Sequence, residues 1–239
     1  MGELREDGRR PDELREITLI PDFTQTNGGS VLINWGKTRV LCTALLESGT
    51  MPFLTGTGKG WLTAEYAMLP SSTGQRKKRE TSKPDGRSTE IKRLIGRSLR
   101  CAIDYEKLGE NTIWIDCDVL SADGGTRTAS ITGAYIALRL GINKWLKEGK
   151  LAVDPVIHQV AAVSVGIVDD VPVLDLCYKE DSAAQVDMNI VMNESGEFIE
   201  LQGTGEGRAF RDDELSQLIS LGKSGISELM KLQNGCIGE

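Results

Sequence analysis

The run Leu120-Ser121-Ala122-Asp123-Gly124-Gly125-Thr126-Arg127-Thr128-Ala129-Ser130 constrains this chain more than any other. It follows a strand-like stretch, Thr112 to Val119. It leads into a predicted helix, roughly Ala129 to Leu146, with Ile131, Ala134, Tyr135, Leu138 and Ile142 at helical spacing. Glycines at a strand-to-helix turn leave the backbone N–H groups unobstructed. The first amides of a helix have no internal partner, and the dipole makes that end positive. The run therefore predicts an anion seat. Arg127 adds a planar fork that matches phosphate oxygens, and Thr126 and Thr128 add hydroxyls. A plain turn with a threonine cap fits the same residues.

The net charge of −7 at first argues against a nucleic-acid partner, but its distribution reverses that. From Arg76 to Arg100 there are ten Lys/Arg and three Asp/Glu, a local balance of +7. A basic segment in an acidic chain makes a focused field. A solvated loop followed by a helix with a wet charged face is the alternative, and it covers Lys92, Arg93, Arg97 and Arg100 well. No apolar run reaches the length of a membrane span. The charged start, Met1 to Arg15, argues against a secretory signal. Five scattered cysteines, none at C-x-x-C spacing, predict reduced and mostly buried thiols in a cytoplasmic protein.

Alternating and apolar runs predict a hairpin of Val31–Asn34 and Thr38–Leu46, a strand at Trp61–Leu69, and a polar loop at Ser71–Asp85. A helix from about Ser88 to Leu108, capped by Ser88, follows. In the second half, strands are predicted at Val160–Val168, Val171–Cys177, Val186–Met192 and Phe198–Gln202, then a helix at Arg211–Leu232. No linker separates the halves, about 1–150 and 151–239. The expectation is one α/β (α+β) domain, 1–239, of two pseudo-repeated β-α units.

Several chemistries are excluded by inventory. The one histidine, His158, is expected to be structural, and no G-x-S-x-G elbow is present. A histidine-based zinc site fails by number. The P-loop pattern fails because Val31, Phe53 and Gln217 stand where its first glycine belongs. Gly203-x-Gly205-x-Gly207 lacks dinucleotide-loop spacing and is expected to be a turn. Two carboxylates remain. Asp181 lies just past one predicted strand and Asp187 inside the next. A carboxylate in an apolar strand is costly unless paired or bound to a cation. Two aspartates meeting across a hairpin would suit magnesium, which prefers oxygen ligands. A surface turn with both groups in water is the competing reading.

Several long motifs occur together and in order. They are Arg5-x-Asp7-Gly8-Arg9 with Leu14-Arg15, Gly60-Trp61-x-Thr63-Ala64-Glu65-Tyr66-x-Met68-Leu69-Pro70, and Gly86-Arg87-Ser88-x-Glu90-Ile91-x-Arg93-Leu94-Ile95. Asp116-Cys117-Asp118-Val119-Leu120 then runs into the glycine turn, followed by Glu180-Asp181-Ser182-Ala183-Ala184, Asp187-Met188-Asn189 and Gln202-Gly203-Thr204. With these motifs the chain resembles the ribonuclease PH family over nearly its whole length. One departure is Ser71, where the family usually has arginine; Arg76, Lys77, Lys78 and Arg79 stand nearby.

The resemblance implies paired β-α units sharing a core, and a homohexameric ring built as a trimer of dimers. It implies that inorganic phosphate, as co-substrate, attacks the last phosphodiester of RNA and releases nucleoside diphosphates, with tRNA 3′ ends as substrate. It places phosphate on Arg87, Gly125, Thr126 and Arg127, and Mg2+ (or Mn2+) and catalysis on Asp181 and Asp187, with Arg127 assisting. RNA is expected on Arg76, Lys77, Lys78 and Arg79. Charged arginines, helix-end amides and a metal lower the barrier between two anionic phosphates, so no histidine is needed. A non-catalytic RNA-binding ring subunit is the main rival, and such a subunit would be expected to lose these arginines or aspartates. A multidomain phosphorylase is disfavoured by length, and a purely metal-dependent hydrolase by the phosphate seat.

Overall fold

The computed structural model describes residues 5–25, 28–79 and 85–238. The first half builds a five-stranded sheet from β1 (Ile17–Pro21), β2 (Gly29–Trp35), β3 (Thr38–Ser48), β4 (Trp61–Met68) and β5 (Asn111–Ser121). Their spatial order is β1-β2-β3-β5-β4. All neighbours are antiparallel except β4 and β5. A parallel pair needs a crossover, and α1 (Gly86–Arg100) supplies it. The second sheet is antiparallel, ordered β7-β6-β8-β9, from β6 (Val160–Val168), β7 (Val171–Leu174), β8 (Val186–Asn193) and β9 (Phe198–Gly205).

One helix, α3 (Thr126–Lys147), packs on β2 and β3 of the first sheet and on β6 of the second. Its burial is therefore nearly all-round, with Ile131, Ala134, Leu138 and Ile142 at 0% exposure. Each large aliphatic side chain buried there contributes roughly 1.5–3 kcal/mol. Small residues let the layers close: a side chain at Gly29 of β2 would collide with the α3 backbone at Ala137 and Gly141. On the second sheet's side, the Thr132 hydroxyl donates to the Ala162 carbonyl and accepts from the Ala162 amide, both at 3.1 Å. The buried Gln233 of α5 (Asp212–Ile237) donates to the carbonyls of Thr132 and Val160. A single hydrophobic cluster contains residues of both sheets, α1, α3 and α5.

Several sequence expectations shift. The predicted helix at Ser88–Leu108 is two helices, α1 and the short α2 (Tyr105–Leu108). Asp104 breaks them by accepting from the amides of Glu106 and Lys107 as a new cap. The cap of α1 is Asp85, whose carboxylate accepts from the Ser88 amide at 2.6 Å, so Ser88 lies inside the helix. The strand expected at Val171–Cys177 ends at Leu174, because Asp175 turns the chain with φ +57°. Gly203 and Gly205 extend β9, so the turn expected there starts later. Residues 80–84 of the expected polar loop lie outside the described residues. All five cysteines are free thiols, but only Cys42 and Cys117 are buried. Among the described residues, no helix is long and apolar enough to cross a membrane.

Candidate active site

The glycine turn is where the two halves meet. Gly124 and Gly125 both adopt the left-handed conformation, with φ of +75° and +64°. Such angles strain any residue with a Cβ. A Cβ on Gly124 would also lie 2.6 Å from the Cys177 carbonyl carbon and the Tyr178 nitrogen. The turn thus touches the start of α4 (Tyr178–Ala183), the helix that carries Asp181. Gly125 caps α3 with no side-chain bond to the helix amides. The helix opens at Thr126, three residues earlier than its apolar pattern predicts, so Thr126 and Arg127 belong to its first turn. Thr126 Oγ1 lies 3.0 Å from the Tyr66 hydroxyl, and Thr128 Oγ1 donates to the Gly125 carbonyl at 3.0 Å.

Arg87 is the second residue of α1 and is exposed. Arg127 donates through Nη2 to Glu90 Oε2 at 3.0 Å. Gln202 of β9 holds the other Glu90 oxygen at 3.3 Å. The Nε of Arg127 is buried and has no partner among the described residues. Asp187 is the second residue of β8, opposite Gly166 of β6 and Thr204 of β9. Its Oδ1 is likewise buried with no partner among the described residues.

These four side chains form one electrostatic cluster. Burial, then the Asp181 carboxylate, pushes Asp187 up to about 6, against the pull of Arg127 and Arg87. Burial also raises Asp181, and the charges of Arg87 and Arg127 oppose it. Glu206, just past β9, adds negative charge to both aspartates. The structure therefore brings Arg87, Arg127, Asp181 and Asp187 together beside Gly125 and Thr126. It does so by a different route from the expected hairpin. The strands β7 and β8 flank β6 instead of pairing, and Asp181 lies on α4, which the sequence reading missed. Two under-compensated carboxylates fit a hard divalent cation, which completes its shell with water and phosphate oxygens. Among the described residues no group of three or more His, Cys, Asp or Glu is gathered for a metal.

The basic residues Arg76, Lys77, Lys78 and Arg79 stand apart, on the loop that follows β4. Arg76, Lys78 and Arg79 are exposed. The loop starts beside the seat, since the Ser72 carbonyl accepts from the Ala122 amide and the Pro70 carbonyl from the Lys77 amide, both at 2.8 Å. Ser71 is exposed in the turn between them.

Sequence reading missed a second charged cluster behind the seat. Asp175 accepts from the Arg15 amide at 2.7 Å, from Arg15 Nη2 at 2.7 Å and from Trp35 Nε1 at 2.8 Å. Arg15 Nη1 donates to the Asp123 carbonyl at 2.6 Å, just before the glycine turn. Arg5 grips Glu180, the neighbour of Asp181, and the carbonyls of Leu174 and Asp175. A signal was available: Asp175 is a carboxylate in an apolar run, as Asp187 is. A cavity of about 980 Å³ adjoins this cluster, lined among others by Arg9, Arg15, Lys37 and Lys179. Its lining includes neither arginine of the seat nor Asp187.

A 3′ exoribonuclease is the class of protein these features define. Residues 13–141 match domain 1 of the 3′ exoribonuclease family, and residues 158–225 match its domain 2. The chain is 55% identical to ribonuclease PH of Bacillus velezensis, covering 99% of this chain and 98% of that protein. It is 54% identical to ribonuclease PH of Bacillus subtilis over the same shares. The enzyme of Syntrophomonas wolfei is 53% identical, with 98% and 99% covered. Solved structures share the fold, two of which follow. Rice (Oryza sativa) Rrp46 superposes with TM-score 0.78 at 17% identity, covering 98% of this chain and 100% of that one. A chain of the Archaeoglobus fulgidus exosome with RNA bound to the active site gives 0.80 at 23% identity, covering 95% and 92%. The chain belongs to the ribonuclease PH family. It is a phosphorolytic 3′-to-5′ exoribonuclease, and hence a nucleotidyltransferase that uses phosphate as co-substrate.

Proposed function

We propose that Arg87, Gly125, Thr126 and Arg127 hold the attacking phosphate, and that Asp181 and Asp187 hold a divalent cation, Mg2+ or Mn2+, beside it. The observation that carries this reading is the convergence of two arginines and two aspartates on a glycine-capped helix start, with Arg127 Nε and Asp187 Oδ1 buried and unpartnered among the described residues. Buried polar atoms without partners are rare, and a ligand that supplies the missing contacts accounts for them.

In this arrangement a phosphate oxygen attacks the phosphorus of the 3′-terminal nucleotide. The bond to the preceding ribose 3′-oxygen breaks, and that oxygen takes up a proton as the nucleoside diphosphate leaves. The amides of the α3 start and the two arginines orient the attacking phosphate and offset its repulsion with the RNA phosphate. A bound divalent cation would neutralise charge developing on the phosphoryl oxygens. The basic loop Arg76–Arg79 would track the RNA backbone and add affinity without reading bases.

The finer reading is that the chain works as one catalytic unit in a homohexameric ring, a trimer of dimers, in the cytoplasm, and trims tRNA precursors. The single shared core, the free thiols and the likeness in fold to exosome subunits support it. Retention of all four charged site residues disfavours a non-catalytic subunit.

The test is a short RNA incubated with and without phosphate. Diphosphate products that require phosphate are expected; monophosphates formed without it would exclude the seat. Alanine at Asp181, at Asp187 and at both should give nearly equal losses, because removing one ligand already disables a shared cation site. Multiplying losses would show two separate roles.

A further inference from the structure

Tyr66 is among the most enclosed polar side chains of the first sheet, at 4% exposure, on β4 beside Cys117 of β5. Its hydroxyl lies 3.0 Å from Thr126 Oγ1, and Thr126 is itself buried at 6% exposure. One hydrogen lies between the two oxygens, and either could donate it. The choice matters, because a threonine hydroxyl has a single hydrogen. If Thr126 gives it to Tyr66, Thr126 presents only lone pairs to an incoming phosphate. If Tyr66 donates, Thr126 keeps its hydrogen for the anion.

Two features of the surroundings favour Tyr66 as the donor. The positive charges of Arg87 and Arg127 act on the Tyr66 oxygen. An oxygen in a positive field turns its lone pairs toward the charges and its hydrogen away from them. Burial keeps the phenol protonated, so it remains a donor. A hydroxyl that accepts one bond is polarised into a better donor of its own. We propose that Tyr66 is a positioning residue that fixes the Thr126 hydroxyl as a hydrogen-bond donor to the attacking phosphate. The proposal rests on the reading that Thr126 faces phosphate. It adds a buried residue outside the seat that prepares one of the seat's donors.

The alternative is that Tyr66 only fills the core, in which case phenylalanine would serve as well. Tyrosine-to-phenylalanine removes one oxygen and keeps the packing, so the variant is expected to fold. The experiment is steady-state phosphorolysis of a short RNA with phosphate varied, for the wild type, Y66F, T126V and the double variant. Melting temperature and phosphate-free RNA affinity are measured alongside. Y66F is expected to raise the KM for phosphate about five- to tenfold. Its kcat at saturating phosphate should stay within about twofold, because a contact made equally in the ground and transition states changes KM alone, and its RNA affinity should hold because it is measured without phosphate. T126V should raise the same KM at least as much, and the double variant should be no worse than T126V.

An unchanged phosphate KM in Y66F, with a raised one in T126V, would overturn the role of Tyr66 and leave the phosphate seat standing. No effect in T126V would overturn the placement of Thr126 in the seat, and the proposal with it. Multiplying effects in the double variant would show that Tyr66 acts independently of Thr126. A loss in Y66F of kcat, RNA affinity and melting temperature together would make Tyr66 a packing residue.

Discussion

Two arginine–aspartate clusters lie on either side of the glycine turn, and they are built differently. The Arg15–Asp175 cluster is closed. Asp175 is fully buried and accepts from the Arg15 amide, the Arg15 guanidinium and the Trp35 indole. The Arg127–Asp187 cluster is open, with Nε of the one and Oδ1 of the other unpartnered among the described residues. Both use the same residue types at the junction of the two sheets. The closed cluster ties the loop before the glycine turn to the segment before α4. The open one is left short of contacts, which the proposed phosphate and cation would supply. Satisfied charges hold the frame, and unsatisfied charges mark where a ligand belongs.

The most severe way to break this contrast is to cut the closed cluster. Asp175→Ala leaves Arg15 buried without its counter-charge and should lower stability by about 3–5 kcal/mol. Denaturant unfolding measures it. A variant of wild-type stability that had lost only turnover would show that Asp175 belongs to the chemistry instead.

Arg127→Ala should do the reverse. Losing one charged contact to the attacking phosphate is expected to reduce kcat/KM by roughly 100- to 1000-fold, about 3–4 kcal/mol, with folding stability changed by less than about 0.5 kcal/mol. Near-normal turnover at saturating phosphate would count against its place in the seat.

The open cluster also predicts a stabilising substitution. Asp187 has a folded-state value of about 6 against an ordinary 3.8. Below 3.8 the carboxyl is protonated in both states and its folded form is not penalised. As pH rises through 6 the folded state must ionise a crowded group, and that relative stability is lost. Asp187→Asn, measured without divalent cation, should therefore raise stability at pH 8 by about 1–3 kcal/mol. The gain should shrink toward zero near pH 4. A gain independent of pH would mean that packing, and not charge, is responsible.

The smallest effect should come from the loop outside both clusters. Replacing Arg76, Lys77, Lys78 and Arg79 by serine should weaken long-RNA binding by about 1 kcal/mol at moderate salt and flatten its log–log salt slope by about 2–3. Turnover of a very short RNA at saturation should barely move. An unchanged salt slope would remove the loop from the RNA path.

Local chemistry made much of the chain legible. Alternating residues marked β3 and β4, which are half-buried, and continuous apolar runs marked β2 and β6, which are buried almost throughout. The glycine turn before α3, the paired aspartates and the basic loop were all visible as residue types that an apolar fold tolerates only for a reason. Other features depended on the packing of distant segments. The pattern of α3 located the helix, but its burial against two sheets follows from how those sheets stack. The strand expected through Cys177 stops at Leu174 because Asp175 is pulled in by Arg15, 160 residues away in sequence. The two aspartates come together through α4 and the start of β8, a route that spacing along the chain does not reveal. Nor could sequence tell which buried carboxylate is satisfied. Asp175 and Asp187 both interrupt apolar runs, and only their partners, brought from far along the chain, separate a satisfied carboxylate from one left short of contacts. Residue types and periods are local properties, so sequence carries them directly; partners are set by tertiary contacts, so only the folded chain decides them.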